Sequence, residues 1–268
     1  EGMVVHTDTE QVRALRRTTL ELLLSEHRVA CTTCDADGDC VLQDLAYEYQ
    51  AEEKRFPNIA TPAGGTNFTS GNKAIVYDAS RCVRCLRCVK ICADVQMDEA
   101  ITLSGRAAAS EVTTAFDLPL NDSTCELCGQ CISTCPTGAL SERAAVGLGR
   151  KNDLITTRTT CVYCGVGCQL DLHVSPRTNR IVRATSPVGV VPNDGNLCVK
   201  GKFGLDFVGH SERLSVPLIR RDGELEEATW AEAIGHVAER LREIRAASGP
   251  DSIAGLSSAK CTNEETTC

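Results

Sequence analysis

The sequence predicts an α+β chain of several small modules, held together by something other than one large core, with the opening of an α/β domain behind them. Three observations lead there. The 268 residues include 17 cysteines beside one tryptophan and five phenylalanines, too few large apolar side chains for a single big core. The cysteines fall in short-spaced groups. Segments of helical and of alternating apolar spacing occupy separate stretches of the chain.

Metal ligation is the expected use of so many thiols. Disulfides fit poorly, because the count is odd and the spacing is clustered. The opening EGMVVHTDTE also lacks a basic region followed by an apolar stretch, so a reducing, cytoplasmic setting is expected. No run approaches the roughly 18 apolar residues of a membrane span. The net charge of −8 argues against nucleic acid, which wants a basic surface.

The elements follow in order. Thr7 and Glu10 are spaced as a capping box, and Val12, Leu15, Leu22 and Leu23 recur at helical intervals through residues 7–27. VLQDLAYEYQ predicts a second helix. Residues 57–72 are rich in Pro, Gly, Asn and Thr and read as a linker. Residues 147–157 read as a connector, and QLDLHV, SPRTNR and IVRAT as strand, turn and strand of an antiparallel hairpin. Thr229 and Glu232 form another capping box, ahead of a helix over AIGHVAERLREIRAAS. SIAGL reads as a buried strand. Since one strand without a partner is no domain, the chain is expected to be the front portion of a longer polypeptide.

Four groups of candidate ligands lie along these elements. The first is His27, Cys31, Cys34 and Cys40. Thiolates are soft anionic donors suited to iron–sulfur clusters, and an imidazole can replace one of them. Zinc on a Cys3His set is the rival. The second and third groups are Cys82, Cys85, Cys88, Cys92 and Cys125, Cys128, Cys131, Cys135, the last followed by Pro136. This double run is the bacterial two-cluster pattern, in which each fourth cysteine serves the other cluster. One cluster is then expected on Cys82, Cys85, Cys88 and Cys135, the other on Cys125, Cys128, Cys131 and Cys92. Zinc ribbons use two separated pairs instead. The fourth group is Cys161, Cys164, Cys168 and, 29 residues on, Cys198. Its spacing alone allows zinc or a cluster. The contexts TTCVYCGVGCQL and NLCVKGKFG, with Gly165 and Gly167 to turn the backbone, point to a cluster.

One histidine and fifteen of the 17 cysteines thus divide into four sets of four, predicting four [4Fe–4S] clusters. Cys261 and Cys268 lie outside any set and read as ordinary thiols.

With those motifs in view, the chain resembles the large subunit of cytoplasmic, NAD(P)-linked formate dehydrogenases. HRVACTTCDADGDCVLQD resembles the His/Cys3 segment these enzymes share with the complex I large peripheral-arm subunit and many [FeFe]-hydrogenases. The eight-cysteine pair is shared with hydrogenases and formate dehydrogenases. TTCVYCGVGC with NLCVKGKFG resembles the cluster domain that opens enzymes carrying Mo or W on a bis-molybdopterin guanine dinucleotide. SSAKCTNEET resembles a formate dehydrogenase segment near that cofactor. The implied domains are a His/Cys3 cluster domain with linker (1–72), a two-cluster ferredoxin-like domain (73–150), a molybdopterin oxidoreductase cluster domain (151–215) and the start of an α/β pterin-binding domain (216–268).

The resemblance implies that Lys200 lies between the Cys198 cluster and a pterin as an electron-relay contact. It implies partners with flavin and NAD(P) sites and iron–sulfur clusters of their own, or ferredoxin, and formate or CO2 as substrate of the full protein. Two departures stand out. No cysteines for a [2Fe–2S] domain precede His27, and the metal-ligating Sec or Cys that handles formate is expected beyond residue 268. The chain is therefore expected to conduct electrons for a catalytic ligand it does not itself contain. A pure electron-transfer adaptor, or a hydrogenase or complex I type of subunit, are the alternatives. The unfinished α/β segment speaks against the first and the fourth cysteine group against the second.

Overall fold

The computed structural model describes residues 2–57, 67–258, 261 and 264. They form two compact units, one of residues 1–161 with 167–205, the other of residues 162–166 with 206–268.

The first unit opens with helix α1 (Glu10–Glu26), which Thr9 caps by accepting from the Val12 amide at 3.2 Å. The cap is therefore Thr9, not Thr7, because the helix starts two residues later than the box spacing suggests. The buried face differs too: Leu20 and Leu24 are in, while Leu15 and Leu22 are exposed. Helix α2 (Val41–Tyr49) contributes Leu42 and Tyr49 to the same small core. Two arginines of α1 hold its end, Arg16 on the Tyr49 hydroxyl and Arg17 on the Tyr49 carbonyl, both at 2.8 Å. Of the linker read over 57–72, residues 58–66 lie outside the described residues. Its end is packed instead of free: Phe68 and Thr69 are buried, and Thr69 Oγ1 accepts from the Tyr77 amide at 3.0 Å.

The middle of the unit folds as a cysteine-bearing repeat. Strand β1 (Ile75–Tyr77) precedes the first cysteine run, whose short helix α3 (Arg87–Lys90) widens into a π-turn over Ile91–Val95. A hairpin of β2 (Ile101–Ser104) and β3 (Glu111–Thr114) follows, then helix α4 (Gln130–Thr134) in the second run and strand β4 (Leu140–Glu142). Antiparallel pairing of β1 with β4 sets Tyr77 opposite Leu140 and closes the repeat on itself. Its core mixes Phe68, Ile75, Val112 and Leu120 with Cys88, Cys92 and Cys131, so the ligands are part of the core.

A three-stranded antiparallel sheet then runs β5 (Ile155–Thr160), β6 (Gln169–Ser175) and β7 (Arg180–Thr185). The predicted hairpin is β6–β7. Strand β5, whose first three residues fall in the segment read as connector, was hidden because all six of its residues are exposed and carry no alternation. His173 sits buried in this sheet, bridged to Thr156 at 3.0 Å and Thr185 at 2.8 Å. Burial, reinforced by Arg183, lowers its pKa to about 4. Helix α5 (Val199–Phe203) follows Cys198.

The second unit holds a hairpin of β8 (Leu218–Arg221) and β9 (Glu224–Glu227), turned at Asp222-Gly223, and helix α6 (Trp230–Ser248). The expected capping box is present: Glu232 N–H donates to Thr229 Oγ1 and the Glu232 carboxylate accepts from the Thr229 amide. SIAGL is not a strand. It passes from a 3-10 turn at Pro250–Ser252 into irregular chain with Leu256 fully exposed, because no neighbouring strand among the described residues pairs with it.

Candidate metal centres

The first cysteine run turns through two left-handed residues, Arg84 (φ 51°) and Leu86 (φ 60°), and the second repeats this at Leu127 (φ 56°) and Gly129 (φ 73°). Each pair lies two and four residues after the leading cysteine. These turns aim backbone N–H groups inward: Arg84 donates to Cys82 Sγ and Leu127 to Cys125 Sγ, both at 3.4 Å. Amides directed at sulfur are the hydrogen bonding that an anionic thiolate requires.

The structure brings Cys135 to the first run and Cys92 to the second. A small cavity is lined by Cys82, Cys85, Cys88 and Cys135 together with Tyr77. Burial, with Cys82, Cys135 and Cys85 as neighbours, pushes the Cys88 thiol up to about 12. Burial pushes Cys125 up to about 11, with Asp98, Cys128 and Cys92 adding to it. Cys131, fully enclosed, lies well above the usual thiol range for the same reason.

Thiols this crowded resist ionising together, so four thiolates need a compensating cationic core. That demand, with the cavity and the inward amides, fits a bound cluster. Among the described residues no three His, Cys, Asp or Glu donors converge tightly enough for a single metal ion. Thiolates of a polynuclear cluster stand at separated corners around a space.

In the N-terminal group, Cys34 and Cys31 are electrostatic neighbours of Cys40, whose thiol burial raises. His27 is half-buried, and desolvation lowers its pKa. Its Nδ1 is buried without a hydrogen-bond partner, as a ring nitrogen kept for a metal would be. The group rests on the end of the second run: Cys40 Sγ lies 3.6 Å from the Pro136 carbonyl oxygen, to which the Leu42 amide also donates. At Gly138 an added Cβ would stand 2.6 Å from Cys34 Sγ.

In the fourth group, the Cys161 amide donates to the Cys168 carbonyl at 2.8 Å, and Gly167 takes φ 70° between them. Gly201, on α5 beyond Cys198, approaches Cys161: a Cβ there would lie 3.7 Å from its sulfur. Cys164 belongs to the second unit. Cys261 is exposed, while Cys268 and most of SSAKCTNEET lie outside the described residues.

Lys200 is exposed. The residue that sequence reasoning missed is Lys202, buried one turn beyond Cys198. Its Nζ pairs with Glu142 of β4 at 2.5 Å and donates to the Ala184 carbonyl at 2.7 Å. Its stem packs where Gly129 has no side chain. Gln130 and Gln96 join the same contact through Gly195 and Asn196, at 3.1 and 2.8 Å. Nothing in the local pattern separates Lys202 from Lys200, since both look like solvated lysines.

The comparisons with protein families follow these modules region by region. Residues 16–55 match the NADH-ubiquinone oxidoreductase-G iron-sulfur binding region, and residues 72–141 the ferredoxin-like domain of NADH-quinone oxidoreductase subunit 3. Residues 155–210 match the molybdopterin oxidoreductase Fe4S4 domain and residues 213–267 molybdopterin oxidoreductase.

Among individual proteins, the chain is 33% identical over 265 residues to the NADPH-Fe(3+) oxidoreductase subunit alpha of Geobacter sulfurreducens, covering 99% of this chain and 30% of that protein. It is 36% identical over 251 residues to an NADH-quinone oxidoreductase subunit of Rhizobium meliloti (93% and 29%). It is 30% identical over 311 residues to a Staphylococcus aureus protein provisionally named a formate dehydrogenase (98% and 30%). The chain thus spans about 30% of the length of these relatives. A solved NAD+-reducing [NiFe]-hydrogenase chain is 28% identical with a TM-score of 0.46, over 54% of this chain and 61% of that one.

Proposed function

We propose that this chain is the electron-conducting front of a formate dehydrogenase large subunit, linking a Mo or W bis-pterin site to a flavin partner that handles NAD(P), or to ferredoxin. The observation that carries the reading is the gathering of Cys135 with the first cysteine run and of Cys92 with the second, around spaces that demand cationic charge. When bound, [4Fe–4S] clusters supply one-electron stations between two-electron reactions.

The chain's own residues do the holding and spacing. Cys82, Cys85, Cys88 and Cys135 would bind one cluster, and Cys92, Cys125, Cys128 and Cys131 another. His27 with Cys31, Cys34 and Cys40 would bind a third, and Cys161, Cys164, Cys168 and Cys198 a fourth. Lys202 and Glu142 clamp the Cys198 segment onto the second run, while Pro136 and Gly138 seat Cys40 and Cys34 beside the first set. On the five-residue helix α5, Lys200 stays exposed while Lys202 is taken up by the clamp, which suits Lys200 to meet a pterin outside these residues. The formate assignment rests on the SSAKCTNEET and VKGKFG resemblances and on the Staphylococcus aureus relative.

A second reading keeps the relay and replaces formate with NADPH- or quinone-linked chemistry, as the names of the Geobacter and Rhizobium relatives suggest. Elemental analysis of the native complex, purified without oxygen, separates the two. The proposal expects about 16 iron atoms per chain for four cubane clusters, about one Mo or W, and bleaching of the clusters by formate. The same iron without Mo or W, or clusters indifferent to formate, favours the second reading. Zinc in place of iron overturns both.

A further inference from the structure

The two cysteine runs share the turns that carry their first three cysteines, and around those turns they differ in side chains. The repeat aligns the left-handed turns and the sulfur-directed amides of Arg84 and Leu127, and those contributions cancel between the two sites. The basic residues of the first run are largely offset: Arg81 pairs with Asp78, Arg84 with Glu26 and Lys90 with Asp94. The Thr137 hydroxyl, 3.8 Å from Cys135 Sγ, spends its proton on the Arg81 carbonyl at 2.8 Å.

Beyond Arg87 against Gln130 and Glu126 against Val83 at matching positions of the runs, two differences lie beside the sulfurs. Tyr77, five residues before Cys82, lines the first cavity together with Cys82 and brings a hydroxyl donor beside that sulfur. Its counterpart five residues before Cys125 is Leu120, which has no donor. Asp98, six residues after Cys92, lies beside the second set. There its Oδ2 accepts from the amide of Glu126, the residue next to Cys125, at 3.1 Å. No basic side chain among the described residues pairs with it. The position six after Cys135 is the neutral Ser141.

We propose that Tyr77 and Asp98 hold the two ferredoxin-type sites at unequal reduction potentials, with the Cys82/Cys85/Cys88/Cys135 site the higher. A hydrogen bond donated to a cluster sulfur spreads its negative charge and favours the reduced form. A carboxylate beside a cluster opposes the added electron. The lower site is the one that α5 and Cys198 adjoin, through Gly129, Gln130 and Gln96. The higher site adjoins Cys34 and Cys40, whose group also carries the imidazole. The gradient therefore inclines electrons from the pterin-facing end toward His27. This deepens the proposed function and rests on its cluster assignment.

The test is a potentiometric titration, followed by electron paramagnetic resonance, of the native complex and of Tyr77→Phe and Asp98→Asn. Phenylalanine keeps the ring that packs on Phe68, with centroids 4.9 Å apart, and iron content checks that each variant is loaded. Tyr77→Phe is expected to lower the midpoint of the higher ferredoxin-type signal alone. Asp98→Asn is expected to raise the lower one alone, so the pair assigns the signals as well as ordering them. If Tyr77→Phe moves the lower signal, if Asp98→Asn moves the higher, or if neither moves at full iron content, the proposal fails while the relay stands. Should Tyr77→Phe lose iron, Asp98→Asn decides alone. Wild-type protein without iron sinks the relay itself.

Discussion

Gly138 shows how much a single missing side chain can decide. It lies three residues after Cys135, and the place of its absent Cβ is 2.6 Å from Cys34 Sγ. Alanine there must push either the thiol or the peptide aside, since no methyl group fits so close to sulfur. Gly138→Ala is expected to lower the iron content by about one cubane, or four atoms, lost from the His27 set while the two ferredoxin-type sites keep theirs. Iron analysis with Mössbauer counting of clusters checks it, and unchanged iron would show that the contact yields without cost. The sequence around Gly138 reads only as a turn after Cys135-Pro136. That it serves a cysteine more than a hundred residues earlier belongs to the tertiary structure alone.

Among the elements, the β5–β6–β7 sheet carries the clearest pH signature. His173 is held neutral between Thr156 and Thr185, its folded pKa about 4 against 6.5 ordinarily. A histidine whose folded pKa is depressed takes up a proton more readily when unfolded. Its stabilising contribution is therefore full above about pH 6.5 and drains away as pH falls toward 4. The total at stake is roughly 3 kcal/mol. Amide exchange of β6, corrected for its intrinsic pH dependence, should accelerate over that window, and His173→Gln should flatten the profile. An equally steep profile in the variant would place the titration elsewhere. The hairpin itself was legible from QLDLHV and IVRAT. Strand β5 was not, because an outer strand with both faces exposed shows no alternation. The Asp222-Gly223 pair signals the β8–β9 hairpin and went unread.

At the scale of the whole chain, one buried ion pair joins the Cys198 segment to β4, just after the second cysteine run. Lys202 and Glu142 are 1% and 7% exposed at the side chain. Removing one partner leaves the other charged and buried, at about 3–5 kcal/mol, whereas replacing both by apolar groups is near neutral. Lys202→Met is expected to lower the unfolding midpoint markedly and Lys202→Met with Glu142→Met to recover most of it, by calorimetry under argon. If the double variant is as unstable as the single one, the cost lies in packing against Gly129 instead. No helix among the described residues is long and apolar enough to cross a membrane.

By itself the sequence determined the mixed helix-and-strand class and the sixteen candidate ligands. Ligand chemistry is partly local: three cysteines of each set sit three to six residues apart, and that spacing survives in one dimension. The helices with clear caps and periodicity were legible for the same reason. The tertiary structure alone decided contacts that local spacing does not carry: Lys202 rather than Lys200 buried against Glu142, Gly138 beside Cys34, and Asp98 beside Cys125. It also decided that SIAGL has no partner strand here and that α1 buries Leu20 and Leu24 in place of Leu15 and Leu22. Each of these joins residues far apart in the chain, or turns on which of two similar faces finds a neighbour, and such choices are made by packing, which leaves no mark in local spacing.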